Sequence, residues 1–188
     1  MAVVDLQVDA GVASITLNHP ESLNALDYEL AVDLNACLQT VANDASVRSV
    51  VLGGAGGHFI AGGDIAYFNA KLQGDGEVKE AVGPMFEHVH GSIQTLRTMP
   101  QPVVASVEGA CAGLGVSLMA ACDLALAADN SKFTLAYCHL GVSPDGGSTW
   151  GLPRTLGSKR AAELVFLGDR FDVARLRDWT GQSGSAAG

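Results

Sequence analysis

The sequence predicts an α/β fold of packed layers with a largely buried sheet. Short runs rich in Val, Ile and Leu alternate with runs whose apolar residues recur at helical spacing. The alternation continues along almost the whole chain and contains no internal repeat. At 188 residues the chain is about one domain long.

The elements follow in order. "VVDLQV" (3–8) and "VASITL" (12–17) read as a hairpin around Asp9-Ala10-Gly11. "NHPESLNAL" (18–26) is a polar connection. Asp27 is placed to cap a helix whose stripe is Leu30, Leu34, Cys37, Leu38 and Val41. "VRSVVLGG" (47–54) is a buried strand, and a glycine-rich turn leads to a short helix at 66–72. Residues 77–99 form a long helix with Val82, Phe86, Val89, Ile93 and Leu96 on one stripe, stopped by Pro100. "PVVASVEG" (102–109) is a strand, "ACAGLG" (110–115) a tight turn into a helix reaching about Ala121, and "DLALAAD" (123–129) another strand. After the loop "HLGVSPDGGSTW" (139–150), helices start near Ser158 and at Asp172. Residues 180–188, small and polar, read as a flexible tail behind a core domain of 1–179.

Composition narrows the function. The net charge is −9 and the pI about 4.8, which speaks against nucleic acid and against an anionic membrane surface as partners. The N-terminus carries Asp5 and Asp9 without a basic stretch, unlike a signal peptide. The most apolar stretch, Ala110 to Cys122, is too short to span a bilayer. Four cysteines, Cys37, Cys111, Cys122 and Cys138, show no metal-ligand spacing and read as small buried thiols in a reducing, cytoplasmic setting.

Two bends carry chemistry. "FIAGGDI" (59–65) and "GACAGLG" (109–115) each place small residues where a strand gives way to a helix. Bare backbone lets a ligand come close, and the first amides of a helix lack intrahelical partners. Each bend alone suits an ordinary turn. Two such amides converging on one oxygen make an oxyanion hole. Other chemistries fit poorly: "GLGVSL" lacks the third glycine of a dinucleotide fingerprint, and neither a phosphate loop nor a nucleophile elbow occurs. His88 and His90 are two apart on a helix and point to different sides. Asp145, between Pro144 and Gly146-Gly147, suits a turn, and it also suits a carboxylate held on a bent backbone.

Taken in order, "NHPESLNAL", "FIAGGDI", "EGACAGLGVSLMAACD" and "FTLAYCHLGVSPDGGSTWGLPRTLG" resemble the crotonase superfamily, the enoyl-CoA hydratase/isomerase family. The resemblance covers about residues 3–179. It implies a ClpP/crotonase-like superhelix of stacked ββα turns and a CoA thioester as substrate, with coenzyme A as the only cofactor-like group. It implies that the thioester oxygen is held by the backbone N–H groups of Gly63 and Leu114. It implies CoA contacts along Leu23, Ala25, Ala61, Asp64, Ile65 and Ala66, and assembly as a homotrimer or a dimer of trimers.

The chain also departs from the family pattern. The positions where hydratases place two glutamates are Ser117 and Tyr137, and neither can act as a carboxylate. Asp145 matches the acid of several isomerases and of the aryl-CoA dehalogenase branch. That branch also uses a histidine on the preceding long helix, matched by His90, and an aromatic residue at the Tyr137 position. Plainer readings are a helix stripe shared with Phe86 and Ile93 for His90, and an acyl-pocket wall for Tyr137. Apolar neighbours such as Val142 and Trp150 are expected to raise the Asp145 pKa. Glu21 and Ser22 stand where the family carries a phosphate-binding base. The family pattern continues past "DRFD" into further helices, whereas here it stops near Trp179. The sequence thus favours isomerisation of an enoyl-CoA double bond over hydration. Hydrolytic dehalogenation by Asp145 and His90, or CoA-ester binding without turnover, are the alternatives.

Overall fold

A computed structural model describes residues 2–73 and 78–180. β1 (Val4–Asp9) and β2 (Val12–Leu17) pair antiparallel from Val4↔Leu17 to Asp9↔Val12. Ala10 and Gly11, both at positive φ (48° and 82°), make the two-residue turn that suits the twist of a hairpin. β3 (Ser49–Gly54), β4 (Val103–Val107) and β6 (Leu124–Ala127) add in parallel, giving a five-stranded sheet in the order β1-β2-β3-β4-β6.

One face of this sheet is the core. Ala13, Ile15 and Leu17 of β2, Val50 and Leu52 of β3, and Val103, Ala105 and Val107 of β4 are all buried at alternate positions. Over them lie α1 (Tyr28–Ala42) and α3 (Val78–Thr98), packed on each other. Asp27 caps α1 as the sequence predicts, accepting from the Leu30 N–H at 2.9 Å. The predicted α1 stripe is buried except Cys37, which is partly exposed. The short α2 (Ile65–Leu72) follows the first glycine bend.

A second sheet, β5-β7-β8, supports the site. β5 (Ala110–Ala112) pairs parallel with β7 (Lys132–Thr134), and β7 pairs antiparallel with β8 (Phe171–Asp172). These strands are two or three residues long, too brief to show a period, and the sequence reading passes over them. It also leaves α5 (Ser148–Leu156) as loop, because Gly151 and Pro153 interrupt the pattern. α4 (Leu114–Ala121), α6 (Ser158–Leu167) and α7 (Val173–Thr180) stand close to where the sequence puts them.

Three expectations need correction or lie outside view. Cys138 is exposed, not buried, because it faces outward on the 3-10 turn Tyr137–Leu140 whose Tyr137 faces in. Thr180, placed in the tail by the sequence, ends α7, and the rest of that tail lies outside the described residues. So does Glu77, the expected start of α3. No helix among the described residues is long and apolar enough to cross a membrane.

Candidate active site

The two glycine bends lie side by side because a backbone bridge holds them in register. Ile60 pairs parallel with Cys111, with Ile60 N donating to Ala110 O at 3.0 Å and Ala112 N to Ile60 O at 2.9 Å. From that pair both chains run on in the same direction. Gly63 stands three residues past Ile60, and Leu114 three residues past Cys111. The bends touch: a Cβ built on Gly113 would lie 3.6 Å from Gly62 Cα, and one on Gly62 would lie 3.3 Å from Ala112 O. Gly113 holds φ 50° and ψ −117°, a conformation open to glycine alone at low cost.

Both amides are unspent. Leu114 is the first residue of α4, so its N–H has no intrahelical acceptor, and Gly63 immediately precedes Asp64, the cap of α2. Among the described residues neither N–H donates to a protein acceptor, while their neighbours do: Gly113 N to Thr134 O at 2.8 Å and Asp64 N to Leu26 O at 2.8 Å. A side chain at Gly63 would put Cβ 2.5 Å from Phe68 Cε2, so the Phe68 ring lies over that bend. Phe68 stacks on Phe86, with centroids 6.4 Å apart, and Phe86 meets His90 at 6.4 Å, so an aromatic wall leads from Gly63 to His90.

The Asp145 loop packs against α4 and approaches α3. Gly146, at φ 55°, packs its backbone on the first turns of α4: a Cβ there would lie 2.7 Å from both Leu114 Cδ1 and Ser117 Cβ. Gly147 in turn approaches Ile93, one turn of α3 beyond His90. The Tyr137 hydroxyl, on a side chain only 8% exposed, donates to Asp145 Oδ1 at 2.5 Å. The Asp145 main-chain oxygen accepts from Ser117 Oγ at 3.0 Å, Ser148 Oγ at 2.8 Å and Ser148 N at 3.1 Å.

Burial raises the Asp145 carboxyl above the ordinary carboxylate range, against the Tyr137 hydrogen bond and the charge of His90, which pull it down. The neighbours expected from sequence, Val142 and Trp150, are themselves about half exposed (54% and 49%). Burial, then the Asp145 charge, raise the Tyr137 phenol, keeping it a protonated donor. His88 packs elsewhere, 3.3 Å from Asn35 and edge-on to Tyr28, consistent with the expectation that it and His90 diverge.

The residues expected to touch CoA form one continuous edge. Ala61 N donates to Leu23 O at 3.1 Å, Leu26 N to Gly62 O at 2.7 Å, and Ile65 and Ala66 continue outward, exposed, at the start of α2. Ala25 is half-buried within the 3-10 turn Pro20–Ser22 and its exit, and the Asp64 carboxylate is spent on capping the Tyr67 N–H at 3.0 Å. Asn24 holds the whole edge. Fully buried, it donates to Ala55 O, His58 O and Phe59 O and accepts from His19 N. Sequence reasoning quoted "NAL" without singling out Asn24, and it missed Phe68 and Ser148.

Cavity size does not locate this site. One cavity, about 440 Å³, lies between α1, α2 and α3 against Asp27, Tyr67 and Lys71, and neither Gly63 nor Leu114 lines it. A smaller one, about 110 Å³, shares Ser117 and Gly146 with the Asp145 loop. No cluster of His, Cys, Asp and Glu fit for a metal occurs among the described residues.

The family model for enoyl-CoA hydratase/isomerase matches residues 7–180. The chain belongs to that family. It is 36% identical over 173 residues to 1,2-epoxyphenylacetyl-CoA isomerase of Escherichia coli K12, covering 92% of this chain and 65% of that protein. It is 30% identical over 163 residues to enoyl-CoA delta isomerase 2 of Rattus norvegicus, covering 87% and 41%. The crystal structure of an enoyl-CoA hydratase from Polaromonas sp. JS666 superposes with a TM-score of 0.85 at 38% identity, over 94% of this chain and 67% of that one. The chain spans less than two thirds of the length of these curated relatives. The crotonase fold expected from the motifs is therefore shown, and hydratases and isomerases of the family both resemble this chain.

Proposed function

We propose that the chain isomerises an enoyl-CoA double bond, with Asp145 as its single base. One observation carries the reading: the Asp145 carboxyl accepts from the Tyr137 hydroxyl on a loop whose Gly146 packs against Leu114, while Ser117 and Tyr137 themselves offer no carboxyl. Hydration needs one group to activate water and another to protonate the α carbon. Isomerisation needs one base. In this reading the carboxylate takes the α proton of a 3-enoyl thioester, and the electron pair moves onto the thioester oxygen. The Gly63 and Leu114 N–H groups hold that oxyanion. The proton returns from Asp145 to the γ carbon, and the double bond moves to the α,β position. Coenzyme A enters as part of the substrate, and the raised Asp145 pKa suits a group that must both take and return a proton.

A second reading rests on His90, which acts electrostatically on Asp145 from α3. Asp145 attacks a haloaryl carbon, halide leaves, and water activated by His90 cleaves the resulting aspartyl ester. The discriminating experiment is a panel of 3-enoyl-CoA and haloaryl-CoA thioesters. Isomerisation without a covalent adduct supports the first reading, and an Asp145 carrying the aryl group as an ester supports the second. Binding of the thioesters with no turnover of any would leave only a CoA-ester binder.

Homotrimeric assembly and a cytoplasmic setting belong to the same reading. What supports assembly is exposed apolar surface: Leu124 (65%) and Leu126 (60%) on β6, and Phe166 (76%) on α6.

A further inference from the structure

Resting on the reading of Asp145 as the base, we propose that Ser117 is a positioning residue that aims the Asp145 carboxyl by holding its main-chain carbonyl. Ser117 is 1% exposed on the inward face of α4, and its hydroxyl has a defined acceptor, Asp145 O at 3.0 Å. Ser148, also 1% exposed, supplies two further donors to the same oxygen through Oγ and N. A carbonyl has two lone pairs, so three donors saturate it and leave the peptide one orientation.

The surroundings make that orientation matter. Asp145 precedes two glycines at positive φ, Gly146 and Gly147, a backbone with little stiffness of its own. Gly146 rests directly on Ser117 Cβ, so α4 sets both the height of the loop and the rotation of its peptide. The carboxyl then meets the Tyr137 hydroxyl at 2.5 Å. Ser117 thus does its work through another residue, at a position where hydratase sequences place a carboxylate. Among the described residues, the titratable groups that act on Asp145 are Tyr137 from the 3-10 turn and His90 from α3, while Leu114 and Ser117 of α4 and Ser148 of α5 meet its loop.

The test uses the full chain and a 3-enoyl-CoA thioester. Ser117→Ala deletes one oxygen and adds nothing. We expect kcat to fall about 10- to 100-fold, the range of a misplacement near one ångström, with KM within about twofold of the parent. The acid limb of the kcat/KM profile moves to higher pH, because a loosened carboxyl loses the phenol bond that holds its pKa down. In a Tyr137→Phe background, which already lacks that bond, Ser117→Ala moves the limb no further. Parent kcat and an unmoved limb in Ser117→Ala, alongside an inactive Asp145→Asn, overturn the proposal while leaving the base in place. Parent turnover in Asp145→Asn overturns the base itself and the proposal with it. If Ser117→Ala melts as an unfolded chain, Ser148→Ala carries the same readouts, with smaller effects expected because its N–H remains.

Discussion

Tyr137 and Asp145, eight residues apart in the chain, meet in a buried hydrogen bond of 2.5 Å in which the phenol donates and the carboxylate accepts. The phenol cannot compete for the role of base, because burial and the neighbouring charge keep it protonated. It stabilises the ionised form of Asp145 against the desolvation that raises it.

Removal of the carboxyl is the first prediction. Asp145→Asn keeps the shape and an acceptor for Tyr137 but cannot take a proton. Turnover of a 3-enoyl-CoA thioester is expected to fall at least about 100-fold, as for loss of a general base. Binding of the thioester by calorimetry should be retained. Parent-rate turnover would reduce Asp145 to a turn residue.

The same variant should be the more stable protein at neutral pH. The folded-state pKa of Asp145 is raised. Stability linked to this group is therefore fully present below the ordinary carboxylate range and is lost as pH rises through the raised value. Asn does not pay that cost. Thermal melts of parent and variant are expected to differ at neutral pH, with Asn higher, and to converge as the pH falls below the ordinary range. A gain of about 1 kcal/mol reads as about 2–4 °C in a chain of this size.

Tyr137→Phe separates the phenol bond from burial. The acid limb of kcat/KM, which reports the free enzyme's base, is expected above the ordinary carboxylate range in the parent and higher still in Phe. A limb that moves down, or not at all, contradicts the assigned pull of the phenol.

Leu114→Pro tests the oxyanion amide. Leu114 is the first residue of α4, where proline is tolerated and no intrahelical bond is lost; Leu114→Ala, which trims the same buried side chain but keeps the N–H, serves as the control. About 100- to 1000-fold loss of kcat is expected, the scale of one such donor. Circular dichroism must show a helical content like the parent's. Gly63 is the poorer place for this test, because any Cβ there strikes the Phe68 ring.

Gly146→Ala should destabilise the chain. Its Cβ meets Leu114 Cδ1 and Ser117 Cβ at 2.7 Å, at a φ of 55°. Overpacking of this kind costs about 1–3 kcal/mol, read as a lower denaturation midpoint with an unchanged m-value.

The fold was legible where segments were long enough to show a period. The hairpin at Ala10-Gly11, the Asp27 cap and the stripes of α1 and α3 all follow from local chemistry. β5, β7 and β8 were not legible, since two or three residues carry no alternation and exist only because their neighbours offer free hydrogen-bonding groups. α5 was hidden by Gly151 and Pro153. At the site, Gly63, Leu114 and Asp145 could be named from motifs, yet Ser148 and Phe68 could not. Their parts depend on where a carbonyl and a ring end up in space. The raised pKa of Asp145 follows the expectation from burial, although Val142 and Trp150 are themselves about half exposed.

The register between Ile60 and Cys111 has an evolutionary consequence. Both amides proposed to receive the thioester oxygen belong to the main chain, and a strand bridge fixes their spacing. Mutation can therefore rewrite the side chains at 117, 137 and 145 without dismantling the receptor for negative charge. A lineage built on such a frame can exchange one reaction for another by a few substitutions around a constant electron sink, while changes in Gly62 or Gly113 close the frame to every reaction at once.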